Sequence, residues 1–192
     1  MFLSQLMENI MEITIYPIEF IQRTYEILRK DFHHFKDEDK EVTFLMNCLL
    51  GLIVTVSEEE NRKLNVFKGK IDNDFLGLVP KKIGFVEGIQ VDDNFDLTLK
   101  SVTELNAPIG HRDDLKRKDK FWFLNKIRNG IAHQNIAGIN KGKKWVGVRL
   151  WNKPNAKMKD FEIIFTIKQL RKFAIEISKK YLSEKTQNKH NN

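Results

Sequence analysis

The chain has 192 residues, 41% hydrophobic and 31% charged, which is the composition of one globular domain and excludes a disordered or fibrous chain. Its single cysteine, Cys48, excludes a disulfide framework and a cysteine-only zinc site and suits a reducing compartment. The net charge is +7, and the whole excess lies between His111 and Lys144, where ten basic residues meet three acidic ones. Such a concentration attracts polyanions, nucleic acid foremost, although lysines also serve solubility alone.

The start, Met1-Phe2-Leu3-Ser4-Gln5, lacks the basic residues of a secretory signal. From about Pro17 to Phe35, the apolar residues Ile21, Tyr25, Leu28, Phe32 and Phe35 recur at helical spacing, with Pro17 in the first turn. A second helix is predicted over about Asp39 to Val56, apolar almost all round and therefore the buried central element. Its apolar run, Val42 to Val56, is 15 residues, short of the roughly 20 that span a bilayer. A soluble, cytoplasmic protein without a membrane span is the expectation. Residues 57–96, with Gly69, Gly77, Gly84, Gly88 and Pro80, read as a loop-rich insertion. Leu97 to Leu105 reads as a strand or a short helix, and Pro108 and Gly110 mark a turn.

About Asp113 to Gln134 predicts a helix that carries the basic cluster. Asn140-Lys141-Gly142-Lys143 makes a turn. Val146, Val148 and Leu150 alternate with their neighbours, as do Phe161, Ile163, Phe165 and Ile167, giving two strands that Asn152 to Asp160 joins as a hairpin. Trp145 and Trp151 share one strand face on this pattern, to stack bases or to pack on a helix. Thr166 and Gln169 have capping-box spacing before a last helix with the stripe Leu170, Phe173, Ala174, Ile177 and Tyr181. The fold class is mainly α: a helical bundle with a small β-hairpin before the last helix. It forms one domain over 1–185, with a disordered tail at 186–192.

No Cys, His or carboxylate set has metal-ligand spacing, and the adjacent His33 and His34 would point about 100° apart on a helix. No phosphate-binding loop, dinucleotide fingerprint or nucleophile elbow is present. No metal and no cofactor are expected. What remains is Arg128-Asn129-Gly130-Ile131-Ala132-His133. At about 100° per residue, Arg128, Asn129, His133 and Trp122 fall on the half of the helix opposite Leu124, Ile127 and Ile131. A histidine can give or take a proton near neutral pH, an arginine can grip a phosphate with two donors, and an asparagine can orient either. That set suits RNA cleavage by the 2′-hydroxyl, which needs a base, an acid and charge stabilisation but no metal. The spacing alone is not specific. Arg29 and His34 repeat it, and His133 read alone is a polar group at a helix end.

The run from Lys126 to His133 resembles the signature of the HEPN superfamily (higher eukaryotes and prokaryotes nucleotide-binding): Arg, four to six residues, then His, with a polar residue, here Asn129, directly after the Arg. The stretch Asn47 to Val54 with the acids Glu58 to Glu60 is similar to the second helix of a stand-alone plasmid-borne HEPN family. The resemblance implies a HEPN-like bundle acting as a homodimer, in which two motif helices form one composite cleft. It implies a metal-independent endoribonuclease that leaves a 2′,3′-cyclic phosphate. His133 would act on the 2′-hydroxyl or the leaving 5′-oxygen, Arg128 on the scissile phosphate, and Asn129 would position one of them. Arg112, Lys116, Arg117, Lys118, Lys120 and Lys126 would contact RNA. Such proteins serve as toxins, restrained by an antitoxin protein, or in defence against phage. The alternative is a non-catalytic HEPN module that binds RNA, nucleotide or protein.

Overall fold

The helices of the computed structural model, which describes residues 17–36, 40–60, 67–86, 109–153 and 159–190, form close to where apolar spacing predicts them. Helix α1 (17–36) buries Ile21, Leu28 and Phe32. Over Ile27–Asp31 it widens into a π-helical turn, which takes carbonyls off the regular ladder. Arg171 satisfies two of them: its Nε donates to Leu28 O at 2.8 Å and its Nη2 to Arg29 O at 3.2 Å. Helix α2 (Glu41–Glu60) is one-sided, not apolar all round. Val42, Leu45, Met46, Leu49, Leu52, Ile53 and Val56 are buried, while Thr43, Asn47 and Val54 are exposed.

The helix expected over 113–134 is broken. Arg112–Arg117 is a 3-10 turn, Lys118 and Asp119 are extended, and a separate α-helix runs Lys120–Ala132. Tertiary pairing causes the break. Ile71 N donates to Lys118 O at 3.0 Å and Lys120 N to Gly69 O at 3.1 Å, so the backbone groups of a continuous helix are taken by the segment at 69–71. That segment leads into a short helix, α3 (Asn73–Leu76), whose N-cap Asp72 accepts from Phe75 N at 2.8 Å. The helix at Lys120–Ala132 is therefore α4, and α5 is Ile167–His190.

Five strands form one antiparallel sheet in the order β2-β1-β5-β4-β3: β1 Ile83–Val86, β2 Ile109–Gly110, β3 Ile136–Lys141, β4 Lys144–Asn152 and β5 Phe161–Thr166. The predicted hairpin is the β4–β5 pair, with Val148 opposite Phe165 and Leu150 opposite Ile163. The sheet extends it on both sides. β3 joins β4 through Gly142 and Lys143, where Gly142 takes the positive φ, +65°, that a two-residue hairpin turn needs. β1 comes from the stretch read as loops, and Phe67, Phe75 and Phe85 from that stretch are fully buried. Gly110 sits in a strand and not in a turn: it pairs with Phe85, and a Cβ there would lie 2.1 Å from the Phe85 ring. Pro108 and the Leu97 to Leu105 segment lie outside the described residues.

Register also separates the two tryptophans. The β3–β4 pairing shifts between Ile139 and Asn140, so Val146 is an extra residue and Trp145 stands opposite Asn140. Trp145 lies over Gly138, whereas Trp151 stands opposite Glu162 on the other face. The inner face packs on the helices through edge-on rings: Phe123 lies 5.7 Å from Phe161 and 5.9 Å from Phe173. The capping box of α5 forms as predicted. Thr166 N donates to Gln169 Oε1 at 2.9 Å, and Gln169 N donates to Thr166 Oγ1 at 3.2 Å. Leu170, Phe173, Ala174, Ile177 and Tyr181 are all buried. Residues 186–190, read as part of a tail, continue the helix. The fold is mainly α, with a larger sheet than one hairpin. Among the described residues, no helix is long and apolar enough to cross a membrane.

Candidate active site

Helix α4 divides as its spacing predicts. Phe123, Leu124, Ile127 and Ile131 are buried, while Arg128 and Asn129 are half-buried and His133 is exposed. Nη1 of Arg128 donates to Oδ1 of Asn129 at 3.0 Å. That bond uses the amide oxygen as acceptor and leaves the NH2 group of Asn129 as a donor for a ligand. No described residue is hydrogen-bonded to the His133 imidazole, so both ring nitrogens face what solvent or ligand supplies.

The end of α4 is pinned although its functional face is open. His133 is the C-cap, with its N–H donating to Asn129 O at 3.0 Å. Gln134 N donates to Ile131 O at 3.0 Å and Asn135 N to Gly130 O at 2.8 Å, the two bonds of a Schellman closure. Glycine usually fills the left-handed position of that motif. Here Gln134 takes it, with φ 56°, the one non-glycine residue with positive φ among the described residues. Trp151 N then donates to Asn135 O at 3.1 Å, which ties the closure to β4. Gly130 lets the helix come so close. A Cβ there would lie 2.6 Å from a Leu150 methyl and 2.7 Å from Trp151 O. Sequence reading missed the roles of Gly130 and Asn135, since their partners lie on a strand some twenty residues on, and that of Gln134, since a non-glycine residue fills the left-handed position.

Trp122, on the same arc by angle, is not part of this constellation. It lies two turns back, about 10 Å along the axis, and packs edge-on against Phe85 and Phe161 at 5.5 and 6.0 Å. Most of the basic cluster is engaged internally. Arg112 donates to Val79 O at 3.1 Å and to Leu76 O at 2.6 Å. Lys120 pairs with Asp72, Lys126 with Asp160 and Arg117 with Asp114. Lys118 lies over the rings of Trp122 and Phe85 at 5.4 and 5.6 Å. Lys120 and the Phe75 N–H hold the Asp72 carboxyl below its usual range, and the His111 N–H and Arg117 do the same for Asp114. Lys116 is exposed, and Arg117 keeps 64% of its side chain exposed beside Asp114.

A second charged feature lies elsewhere. Arg29, Lys168, Arg171 and Lys172 rim a groove of about 740 Å³ between α1 and α5, floored by Phe32 and Ile167. It shares no residue with α4, and Arg171 is committed there to the α1 carbonyls. His33 and His34 are exposed on α1, their rings 3.9 Å apart. Arg29, the first residue of the repeated Arg/His spacing, bonds the Tyr25 hydroxyl at 3.2 Å. Among the described residues, no three His, Cys, Asp or Glu side chains group as a metal site.

A helical domain with an Arg-Asn-His arc at a pinned helix end is the class these features define. The family comparison agrees: the HEPN pEK499 p136 model matches residues 2–188. The chain therefore belongs to that family and to the HEPN superfamily. No curated protein and no solved structure matches it.

Proposed function

We propose that this protein is a metal-independent endoribonuclease that cuts RNA through the 2′-hydroxyl next to the scissile phosphate. A base takes the 2′ proton, the 2′ oxygen bonds to phosphorus, and the bond to the 5′ oxygen breaks as an acid protonates it. The product ends are a 2′,3′-cyclic phosphate and a 5′-hydroxyl. The observation that carries this reading is the joint placement of Arg128, Asn129 and His133 on the open arc of a helix end that is otherwise fixed by Gly130, Gln134 and Asn135. His133 moves the proton. Arg128 holds the phosphate and stabilises the charge that builds on it. Asn129, oriented by Arg128, positions the substrate through its NH2 group.

One imidazole cannot take the 2′ proton and give another to the 5′ oxygen in the same step. Two copies of α4 meeting across a homodimer would bring two His133 side chains to one phosphate, and this is the assembly we assign. Of the basic set, Lys116 and Arg117 present charge to solvent and are assigned to the RNA backbone. An activity of this kind fits a toxin or a phage-defence effector in the cytoplasm, held in check by an antitoxin protein. Induced expression of the wild type should slow growth and raise RNA ends bearing cyclic phosphate, and His133→Ala should do neither. Equal toxicity of the two proteins removes His133 from the chemistry.

A further inference from the structure

We propose that the tip of the β3–β4 hairpin is a stacking platform for single-stranded RNA, with Trp145 as its face and Lys141 and Lys143 as its phosphate contacts. This rests on the nuclease reading above and names where the substrate strand is held away from the scissile phosphate. Tryptophan is highly buried on average, and Trp145 is 45% exposed, with Val146 beside it at 39%. The ring is nevertheless held. Three of its atoms lie 2.6 to 2.9 Å from where a Cβ on Gly138 would stand, so one side of the indole rests on bare backbone. The shifted register that makes Val146 an extra residue is what turns Trp145 onto Gly138. A ring seated on one side and open on the other is what base stacking uses.

The charge around it has one sign. Asn135 to Lys153 contains no acidic residue. Lys141 and Lys143 are exposed, and neither has a partner among the described residues. They differ in this from Arg112, Lys120 and Lys126, which the fold uses internally. β3 is an edge strand that starts three residues after His133. At about 3.3 Å per residue, its far end lies about 17 Å from its root. A strand lying along the hairpin would run from the tip to the candidate site. One tryptophan and one valine offer too little apolar area to anchor a membrane, and lysines without acids do not favour a second copy of the same tip.

The test is binding of a labelled oligouridylate by the His133→Ala protein, which blocks cutting, across a series of salt concentrations. Adding Trp145→Ala should weaken binding by about 5- to 160-fold, the range seen for loss of one stacked base. Trp145→Phe should retain most of the affinity. Gly138→Ala, which lifts the ring without removing it, should weaken binding in the same direction as Trp145→Ala. Lys141→Gln with Lys143→Gln should lower the salt slope by about 0.7 for each lysine removed. Unchanged affinity in Trp145→Ala, with the parent binding RNA, overturns the platform and leaves the nuclease reading standing. No RNA binding by the parent overturns both. A tryptophan emission shift with phosphatidylserine vesicles but not with RNA, or a dimer lost on Trp145→Ala, assigns the tip elsewhere and overturns the platform.

Discussion

Gly130 shows at the scale of a residue how packing and chemistry share α4. An alanine would gain helix propensity of about 1 kcal/mol. Its methyl would meet Leu150 at 2.6 Å and the rigid carbonyl of Trp151 at 2.7 Å. Overpacking against backbone costs about 1–3 kcal/mol and wins. Gly130→Ala should lower the urea midpoint, and it should also lower cleavage by moving Arg128 and His133 off β4. A variant as stable and as active as wild type would show that the helix does not depend on this approach. The Arg-Asn-His arc was legible in the sequence because helical angle depends only on local spacing. The close approach of Gly130 was not, because its partners lie on β4. The burial of Cys48, which pushes its thiol up to about 11, was likewise invisible in the bare count of cysteines.

Register carries the corresponding lesson for the elements. Alternation along Val146 to Leu150 and Phe161 to Ile167 was enough to find β4 and β5, since period two is a local signal, although Ile167 already opens α5. It could not show that Val146 is an extra residue, so Trp145 and Trp151 read as neighbours on one face when the shift sets them apart. Nor could it show β1, whose strand character comes from pairing with β5 across eighty residues of chain. Glu162 fixes that central strand from the outer face. Its side chain is 3% exposed and accepts from Arg149 Nε at 2.7 Å and Nη2 at 3.1 Å, with Lys159 at 3.5 Å. Burial holds the Lys159 ammonium below its usual range, against the pull of Glu162. A slip of one residue would swing Glu162 into the aromatic core. Glu162→Gln removes the charge and leaves two cations facing each other. It should cost about 3 kcal/mol in unfolding free energy, the low end for breaking a buried pair because Arg149 is partly exposed. A loss below about 1 kcal/mol would show that the cluster is solvated and does not pin the sheet.

At the scale of the whole molecule, the charge map is where sequence and structure differ most. The excess of seven positive charges between His111 and Lys144 is real, but the fold ties Lys120 to Asp72, Lys126 to Asp160 and Arg112 to the backbone carbonyls of Leu76 and Val79. Linear charge counts cannot see a pairing such as Lys126 with Asp160, which needs the sheet to form first. The fold class was legible because three helices carry their own apolar stripes. The core contributed by residues 67–86 was hidden by the glycines and proline that turn the chain between its buried side chains. What the finished molecule presents is one pinned helix end with His133 exposed and Arg128 and Asn129 half-buried beside it. The most direct measurement of the central claim is cleavage of an end-labelled RNA in EDTA by wild type, Arg128→Ala and His133→Ala, each checked for folding by circular dichroism. Wild type should cut and leave a 2′,3′-cyclic phosphate end, and each variant should lose about a hundredfold or more. Cutting by the folded His133→Ala protein at the wild-type rate, or no cutting by a folded wild-type dimer, would contradict that claim.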